Sequence, residues 1–253
     1  MLRFFLFYLI MMSPVYLKAG DPFGSLNILI FSKTNDYRHE STEEAKLAMA
    51  DLCREYFWEY YLTEDSSIFY DSFLERFDVV VFLLTSGNIL DTIQQESLIR
   101  YIRSGKGLVT IHSGSFTEMS WPWWGKSVCA RFTGHPPEQE GRLIIEDFTH
   151  PATRHLENSM WMVKDEFYSF DKNPRECAQV LISVDEDSYD VDDNQWFPGV
   201  NQRMGDHPLV WCKEFEGGKI FQSALGHNAD LYQNKMHRKL LAGAIIWAAG
   251  KSN

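Results

Sequence analysis

The chain has 253 residues, of which 45% are hydrophobic, 15% aromatic and 23% charged. This composition is sufficient for a packed core and excludes an intrinsically disordered protein. The formal charge is −11, from 24 Lys+Arg against 35 Asp+Glu. Because an acidic surface repels a phosphate backbone and no basic cluster offsets it, we expect no nucleic-acid partner.

The first 19 residues differ in character from the rest. Arg3 precedes an apolar run of nine residues, 4–12, and Ala19 stands directly before Gly20. A basic start, a short apolar stretch and a small exit residue are typical of a secretory signal peptide. Nine residues are too few for a membrane-spanning helix, which needs about 20. We therefore predict a signal peptide over 1–19, a single domain over 20–253, and an exported protein, periplasmic or secreted, with no membrane attachment after cleavage.

The four cysteines are widely spaced and contain no CxxC pair. Four cysteines in a chain of this length do not indicate a disulfide scaffold, so small buried core side chains are expected. The sequence leaves any pairing open, whether Cys129–Cys177 or another. The remaining two are Cys53 and Cys212.

Strands and helices alternate through the first 112 residues. Apolar runs predict strands at 26–32, 77–84 and 108–112, with another at 58–63. One helix is predicted after a cap at Ser41 or Thr42, and a second runs from a cap at Asp91 to Arg103. This alternation predicts a parallel sheet with helices on both faces.

The second half of the chain is less regular. Strands are predicted near 142–147, 160–164, 178–184, 208–214 and 219–224, before a C-terminal helix over about 230–249. The fold class is therefore α/β with an antiparallel addition to the parallel sheet. The acidic segment 185–205 is long enough to be a lid or rim loop over a site.

Histidines at predicted strand ends are the main functional signal. His39, His112 and His227 each follow a predicted strand, and the carboxyl ends of parallel strands form the ligand crevice of open α/β sheets. For each residue alone, a hydrogen-bonded loop histidine is an equal alternative. Together they suggest a site. Any divalent metal there, such as zinc, would have to be held by residues from distant segments, because no HExxH motif is present.

His112 lies in a distinctive local sequence. The segment 109–114 runs from a strand into a turn of small residues, as in a nucleophile elbow. Histidine occupies the place where a covalent enzyme has Cys or Ser, so His112 is predicted to act in acid–base catalysis or metal ligation. A covalent mechanism through Ser113 or Cys129 is disfavoured for the same reason.

Asp165 and Glu166 follow the predicted strand at 160–164 as consecutive acids. One could orient a histidine while the other exchanges protons, or both could bind a metal. The alternative is a solvated strand end.

Aromatic side chains are dense in two loop-like places. Trp121 and Trp123 lie in one, and Trp196 lies in the acidic segment. Exposed aromatic surfaces often mark binding sites, here for the apolar faces of a sugar, whereas core packing is the alternative. No GxGxxG follows the first strand and no Walker A motif occurs, so no nucleotide cofactor is expected.

Several short pieces, in this order, resemble the ThuA-like (trehalose-utilisation) family over about residues 26–249. They are FSKTNDYRHES, FDVVVFLLTSGNIL, YIRSGKGLVTIHSG, WPWWGK, FTGHP, HPAT, KDEFYSF, GDHPLVW and LGHNADLY. The resemblance implies a flavodoxin-like, class I glutamine amidotransferase-like fold. His112 stands at the elbow where amidotransferases carry their cysteine, so glutamine amidotransferase activity is not expected. The positions matching family motifs are His39, His112, His135, Asp165, Glu166, His207, His227, Trp121 and Trp123.

The resemblance also implies a role in the metabolism of trehalose or related disaccharides. Our leading hypothesis is an enzyme, an isomerase, lyase or hydrolase, acting on a disaccharide such as trehalose or its keto derivative. His112, Asp165 and Glu166 would be catalytic, while His39, His112 and His227 would hold a metal. Substrate contacts are expected from His39, His135, His207, Trp121, Trp123 and Trp196. The alternative is a carbohydrate-binding protein without catalytic activity.

Overall fold

The structure, a computed structural model, describes residues 25–157 and 160–251. The predicted signal peptide at 1–19 lies outside these residues. Within them, no helix combines the length and the apolar character needed to cross a bilayer.

A single large sheet organises the chain. The strands are β1 (Asn27–Phe31), β2 (Glu59–Thr63), β3 (Val79–Leu83), β4 (Gly107–Ile111), β5 (Phe132–Gly134), β6 (Gln139–Ile145), β7 (Trp161–Asp165), β8 (Ser169–Phe170), β9 (Gln179–Val184), β10 (Pro208–Phe215) and β11 (Gly218–Ser223). The helices are α1 (Thr42–Glu55), α2 (Asp71–Leu74), α3 (Thr92–Arg103), α4 (Pro122–Val128) and α5 (Lys235–Ala248).

Nine strands form the sheet in the order β2-β1-β3-β4-β11-β10-β9-β6-β7. The first five are parallel to one another, and each strand from β10 to β7 is antiparallel to its neighbours. The predicted α/β fold with an antiparallel addition is therefore confirmed. Strands β5 and β8 form a separate antiparallel pair.

Helices cover both faces of the sheet, as predicted. Side chains alternate along β1, so Ile28 and Ile30 pack in the core containing α1 and α5. Leu29 and Phe31 point to the opposite face and pack with residues of α2, α3 and α4. Strand β3 is buried on both faces, which explains its uninterrupted apolar sequence.

Helix ends follow the local capping chemistry. Asp91 caps α3 as predicted, through a reciprocal capping box with Gln94. The C-terminal α helix begins at Lys235, later than the predicted 230, because the Asn234 side chain accepts the backbone N–H of Met236 at 2.8 Å. Residues Ala229–Gln233 before it form a 3₁₀ helix.

The cysteines divide into two kinds. Cys129 and Cys177 form a disulfide with a Cα–Cα distance of 6.1 Å. The expectation of a core thiol is therefore wrong for this pair, because folding brings the end of α4 beside the residues that precede β9. Cys53 and Cys212 are buried as expected.

Candidate metal and sugar site

His112 occupies a sharp turn directly after β4. Its backbone has φ 57° and ψ −103°, a conformation that a residue with a side chain rarely adopts, and a short 3₁₀ helix (Ser113–Phe116) follows. Its backbone N–H donates to Ser223 O at 2.6 Å. Its Nδ1 donates to Ala224 O at 2.8 Å, so Nε2 is the ring nitrogen that is left to contact other side chains. The predicted elbow is present, and it directs Nε2 of the buried imidazole to the site.

His112 is one of four side chains, from distant segments of the chain, that lie close together. One potential ligand atom from each of His39, His112, Glu166 and His227 lies within 4.8 Å of every other. His39 precedes α1, whereas the other three follow β4, β7 and β11. The predicted meeting of the three histidines is therefore present in the fold, with a carboxylate added to them.

One oxygen of Glu166 contacts three imidazoles. Its Oε2 lies 3.0 Å from Nδ1 of His227, 3.5 Å from Nε2 of His135 and 3.6 Å from Nε2 of His112. The contact with His227 has the distance of an ion pair but not the direction of a hydrogen bond. Burial alone would raise the pKa of Glu166, but His112 and His227 outweigh it and hold the pKa below its usual range. Glu166 is therefore an anion.

The pKa values of the histidines in this cluster shift in different directions. Burial, with His112 and His227 nearby, lowers the pKa of His39 to about 2. Burial also lowers the pKa of His135. For His227, burial acts in the same direction, but the adjacent Glu166 raises its pKa. His39 is thus neutral, and its Nδ1 has no hydrogen-bond partner among the described residues.

Asp165 and Glu166 point to different surroundings. The Asp165 carboxylate accepts the backbone N–H groups of Gly226 at 2.7 Å, His227 at 2.9 Å and Asn228 at 3.2 Å. It is fully buried, and burial raises its pKa. Asp165 therefore holds the loop that carries His227, while Glu166 contacts the imidazoles.

Gly226 allows this loop to approach the elbow. Its φ is +135°, and a Cβ there would lie 2.7 Å from the Tyr232 hydroxyl oxygen and 3.4 Å from Cβ of His112. Only glycine fits both the backbone conformation and the space.

Two adjoining cavities open beside the cluster. The first, about 300 Å³, is lined mainly by aromatic side chains, which are Tyr37, Phe116, Phe132, Tyr168, Trp196 and Phe197, together with His39, His135, Asp36 and Glu166. The second, about 610 Å³, is lined mainly by polar residues, among them Glu40, Glu44, Glu138, His227 and Asn228. Tyr37, Glu166 and Trp196 border both. We call these the aromatic compartment and the polar compartment of one cleft.

Two of the predicted substrate contacts lie in the aromatic compartment besides His39. His135 donates from Nδ1 to Pro136 O at 2.9 Å, which leaves Nε2 unprotonated near Glu166. Trp196 is 55% exposed, and its ring lies 5.5 Å from that of His135.

The other three predicted substrate contacts lie away from the cleft. His207 is buried behind Tyr168 and lines neither cavity. Trp121 and Trp123 stack on each other at 4.9 Å and pack against the core on the α3 face of the sheet. The structure thus does not bring these three residues to the other site residues. Trp121 and Trp123, at the start of α4, are held on the α3 face of the sheet.

Tyr168 belongs to the site and was not singled out from the sequence. Its hydroxyl donates to Nε2 of His112 at 2.8 Å. Burial, with Glu166 and Asp165 nearby, raises the pKa of Tyr168 well above its usual value, so it remains a donor. Its position two residues after Glu166, on the same side of an extended chain, was the available signal.

The fold and the cluster define an α/β protein with a histidine–carboxylate site at the carboxyl edge of its sheet. Residues 27–248 match the ThuA family, described as "Trehalose utilisation", and the chain belongs to that family. Membership supports a role in carbohydrate metabolism. No curated protein is significantly similar to the chain.

Solved structures share the fold. A ThuA-like protein from Bacteroides uniformis has a TM-score of 0.71 at 19% identity, covering 94% of this chain and 95% of its own. A ThuA-like protein from Parabacteroides merdae has a TM-score of 0.69 at 18% identity, covering 90% and 92%. A cytoplasmic protein from Salmonella typhimurium has a TM-score of 0.60 at 11% identity, covering 88% and 99%.

Proposed function

We propose that this chain is an enzyme that binds a divalent metal and acts on a neutral disaccharide, such as trehalose or its keto derivative. The observation that carries the proposal is the buried cluster of His39, His112, Glu166 and His227 beside a cleft with an aromatic wall. Family membership supports the sugar.

The donor set fits a metal such as zinc. Imidazole nitrogens and carboxylate oxygens are common zinc ligands, and catalytic zinc usually has three protein ligands. His39, His112 and His227 would hold the ion, which would replace the hydrogen bond of the Tyr168 hydroxyl at Nε2 of His112. The bond from Nδ1 of His112 to Ala224 O fixes the ring in the way that outer partners fix metal-binding histidines. When bound, the ion would polarise a sugar carbonyl and so acidify the adjacent C–H.

Glu166 would transfer the proton. In a keto-disaccharide, this carboxylate removes the proton beside the carbonyl, and the C–H electron pair forms a C=C bond as the glycosidic C–O bond breaks. The electron pair of that bond stays on the leaving oxygen, which takes the proton back from Glu166. The products are an unsaturated keto sugar and a free sugar.

The cleft suits two sugar rings. One ring would lie in the aromatic compartment and the other against the carboxylates of the polar compartment. Because Glu166 borders both compartments, the bond between the rings would lie close to its carboxylate.

Elemental analysis of the purified protein before and after chelation tests the metal. We expect near-stoichiometric metal in the wild type, and its loss in the His112→Ala and His227→Ala variants. His155→Ala is the matched control, because His155 bonds Met236 O outside the cluster. Absence of metal from the wild type after incubation with zinc would refute metal binding. Turnover of trehalose and keto-trehalose by the loaded protein then tests the reaction.

A carbohydrate-binding protein without activity is the second candidate. The aromatic wall favours this candidate, because aromatic rings can bind a sugar without any proton transfer. It predicts saturable binding without product, and greater sensitivity to Trp196→Ala than to His112→Ala.

We also propose that the protein is exported after cleavage at Ala19. The Cys129–Cys177 disulfide supports this, since such bonds persist mainly in oxidising compartments. N-terminal sequencing of the protein from its native host is expected to start at Gly20. A retained Met1 would refute cleavage.

A further inference from the structure

Glu186 is a buried carboxylate at the start of the acidic segment 185–205. It is 8% exposed. It accepts the backbone N–H of Met204 at 2.6 Å and that of Gly205 at 3.0 Å. The Glu186 side chain thus links residues 204–205, at the end of the segment, to the start of the segment.

The same carboxylate also holds His207. Nδ1 of His207 donates to Oε1 of Glu186 at 2.8 Å, and Nε2 of the same ring donates to Tyr168 O at 2.9 Å. The Tyr168 hydroxyl in turn donates to Nε2 of His112 at 2.8 Å. An unbroken chain of hydrogen bonds and one tyrosine side chain therefore links Glu186 to the elbow histidine.

The segment closed by Glu186 forms part of the aromatic wall. Trp196 and Phe197 lie within it and line the aromatic compartment. A second connection runs from the Ser169 hydroxyl to Gln202 O at 2.6 Å. The wall and the backbone at residues 168–169 are thus joined twice.

We propose that Glu186 is a positioning residue that acts through His207. It couples the position of the Trp196–Phe197 wall to the hydrogen bond between Tyr168 and His112. A sugar packed on the wall would then change the position of Tyr168 beside the elbow. This significance for a sugar rests on the proposed function, whereas the coupling itself is a property of the free protein.

The Glu186→Gln variant tests the coupling. An amide offers one acceptor oxygen where the carboxylate offers two, and its NH₂ group would face backbone N–H donors. Asp187→Asn is the matched control, because it removes the same charge one residue away at an exposed position. Two readouts apply to the chelator-treated protein without sugar: amide hydrogen exchange over residues 190–205, and the ¹⁵N chemical shift of Nε2 in His112.

We expect E186Q to raise exchange in 190–205 at least tenfold and to shift the His112 Nε2 resonance, with neither change in D187N. Unchanged exchange or an unchanged resonance in E186Q would overturn the proposal. A rise spread evenly over all segments would also overturn it, because it would indicate only a loss of global stability.

These readouts separate the coupling from the proposed function. If the protein turns over a disaccharide, E186Q is also expected to weaken sugar binding, with a smaller effect in D187N. If it has no turnover, exchange and the resonance still decide. Should E186Q not fold, E186D keeps the charge but retracts the oxygens by one carbon, and it is expected to give the same local pattern at smaller amplitude. A folded E186D that matches D187N would overturn the proposal.

Discussion

The carboxylate oxygen Oε2 of Glu166 lies 3.0 Å from Nδ1 of His227. The preceding residue, Asp165, makes this contact possible, because its carboxylate binds the backbone of residues 226–228. Two consecutive acids thus have separate tasks, one building the loop and one contacting the imidazole that the loop presents.

Replacing Glu166 tests its role as the proton-transferring group. Glu166→Gln is expected to lower kcat on a keto-disaccharide about 10²–10⁴-fold, because the amide cannot accept the proton. Glu140→Gln, on an exposed part of β6, is the control. Steady-state kinetics measures both, and an E166Q variant with wild-type kcat would exclude this role.

Replacing Asp165 tests its structural role. In Asp165→Asn, one side-chain oxygen must serve three backbone donors, so we expect a loss of about 3 kcal/mol in the free energy of unfolding and weaker metal binding through His227. Asp230→Asn removes the same charge at an exposed position nearby and should change neither. Chemical denaturation and metal titration are the measurements. Wild-type stability in D165N would contradict this account.

Sugar affinity should depend on one tryptophan. Trp196→Ala is expected to weaken disaccharide binding about tenfold, from the loss of ring contact in the aromatic compartment. Trp123→Ala should leave affinity unchanged, because Trp123 lies by Phe215 and Glu216. Isothermal titration calorimetry compares the two, and equal losses would argue against the cleft as the binding site.

The disulfide should contribute to stability. It closes a sequence separation of 48 residues, for which the chain-entropy treatment gives about 4 kcal/mol. Replacing Cys129 and Cys177 together with serine is expected to lower the melting temperature, and a reductant should then have no further effect. A wild-type protein indifferent to reductant and to this replacement would contradict the prediction.

Acid should destabilise the fold through buried histidines. Burial lowers the pKa of His237 to about 3 in the folded chain, against an ordinary value of 6.5. The unfolded chain therefore binds the extra proton as pH falls below 6.5, so stability is complete above that pH and is lost below it. His237 alone should account for a loss of about 2 kcal/mol between pH 7 and pH 5.

Urea denaturation at both pH values checks this contribution. Burial lowers the pKa of His150 to about 4 and that of His39 to about 2. Both residues therefore add to the slope of unfolding free energy against pH. His237→Phe should reduce the slope by the share of one histidine. An unchanged slope in this variant would show that His237 does not contribute.

The α/β framework and the elbow could be predicted from local sequence patterns. Apolar runs such as that of β3 predicted strands covered on both faces, and the Asp91 cap predicted the start of α3 through local hydrogen bonds. The order of small residues after β4 predicted the turn at His112. Its meeting with His39 and His227 followed from the rule that strand ends in a parallel sheet share one edge.

Which neighbouring side chains reach the cleft depends on how distant segments pack, and local patterns did not predict it. Asp165 and Glu166 are both carboxylic acids, and the sequence does not distinguish their roles. Successive residues of an extended chain point to opposite sides, so Asp165 contacts backbone N–H groups while Glu166 contacts imidazoles. His207 and Trp123 match family motifs as well as His135 does, yet packing places them away from the cavities. Tyr168 enters the site through its hydrogen bond to His112, although β7, which precedes it, lies four strands from β11 in the sheet. Contacts between segments so distant in sequence depend on the packing of the whole sheet, which no local pattern records.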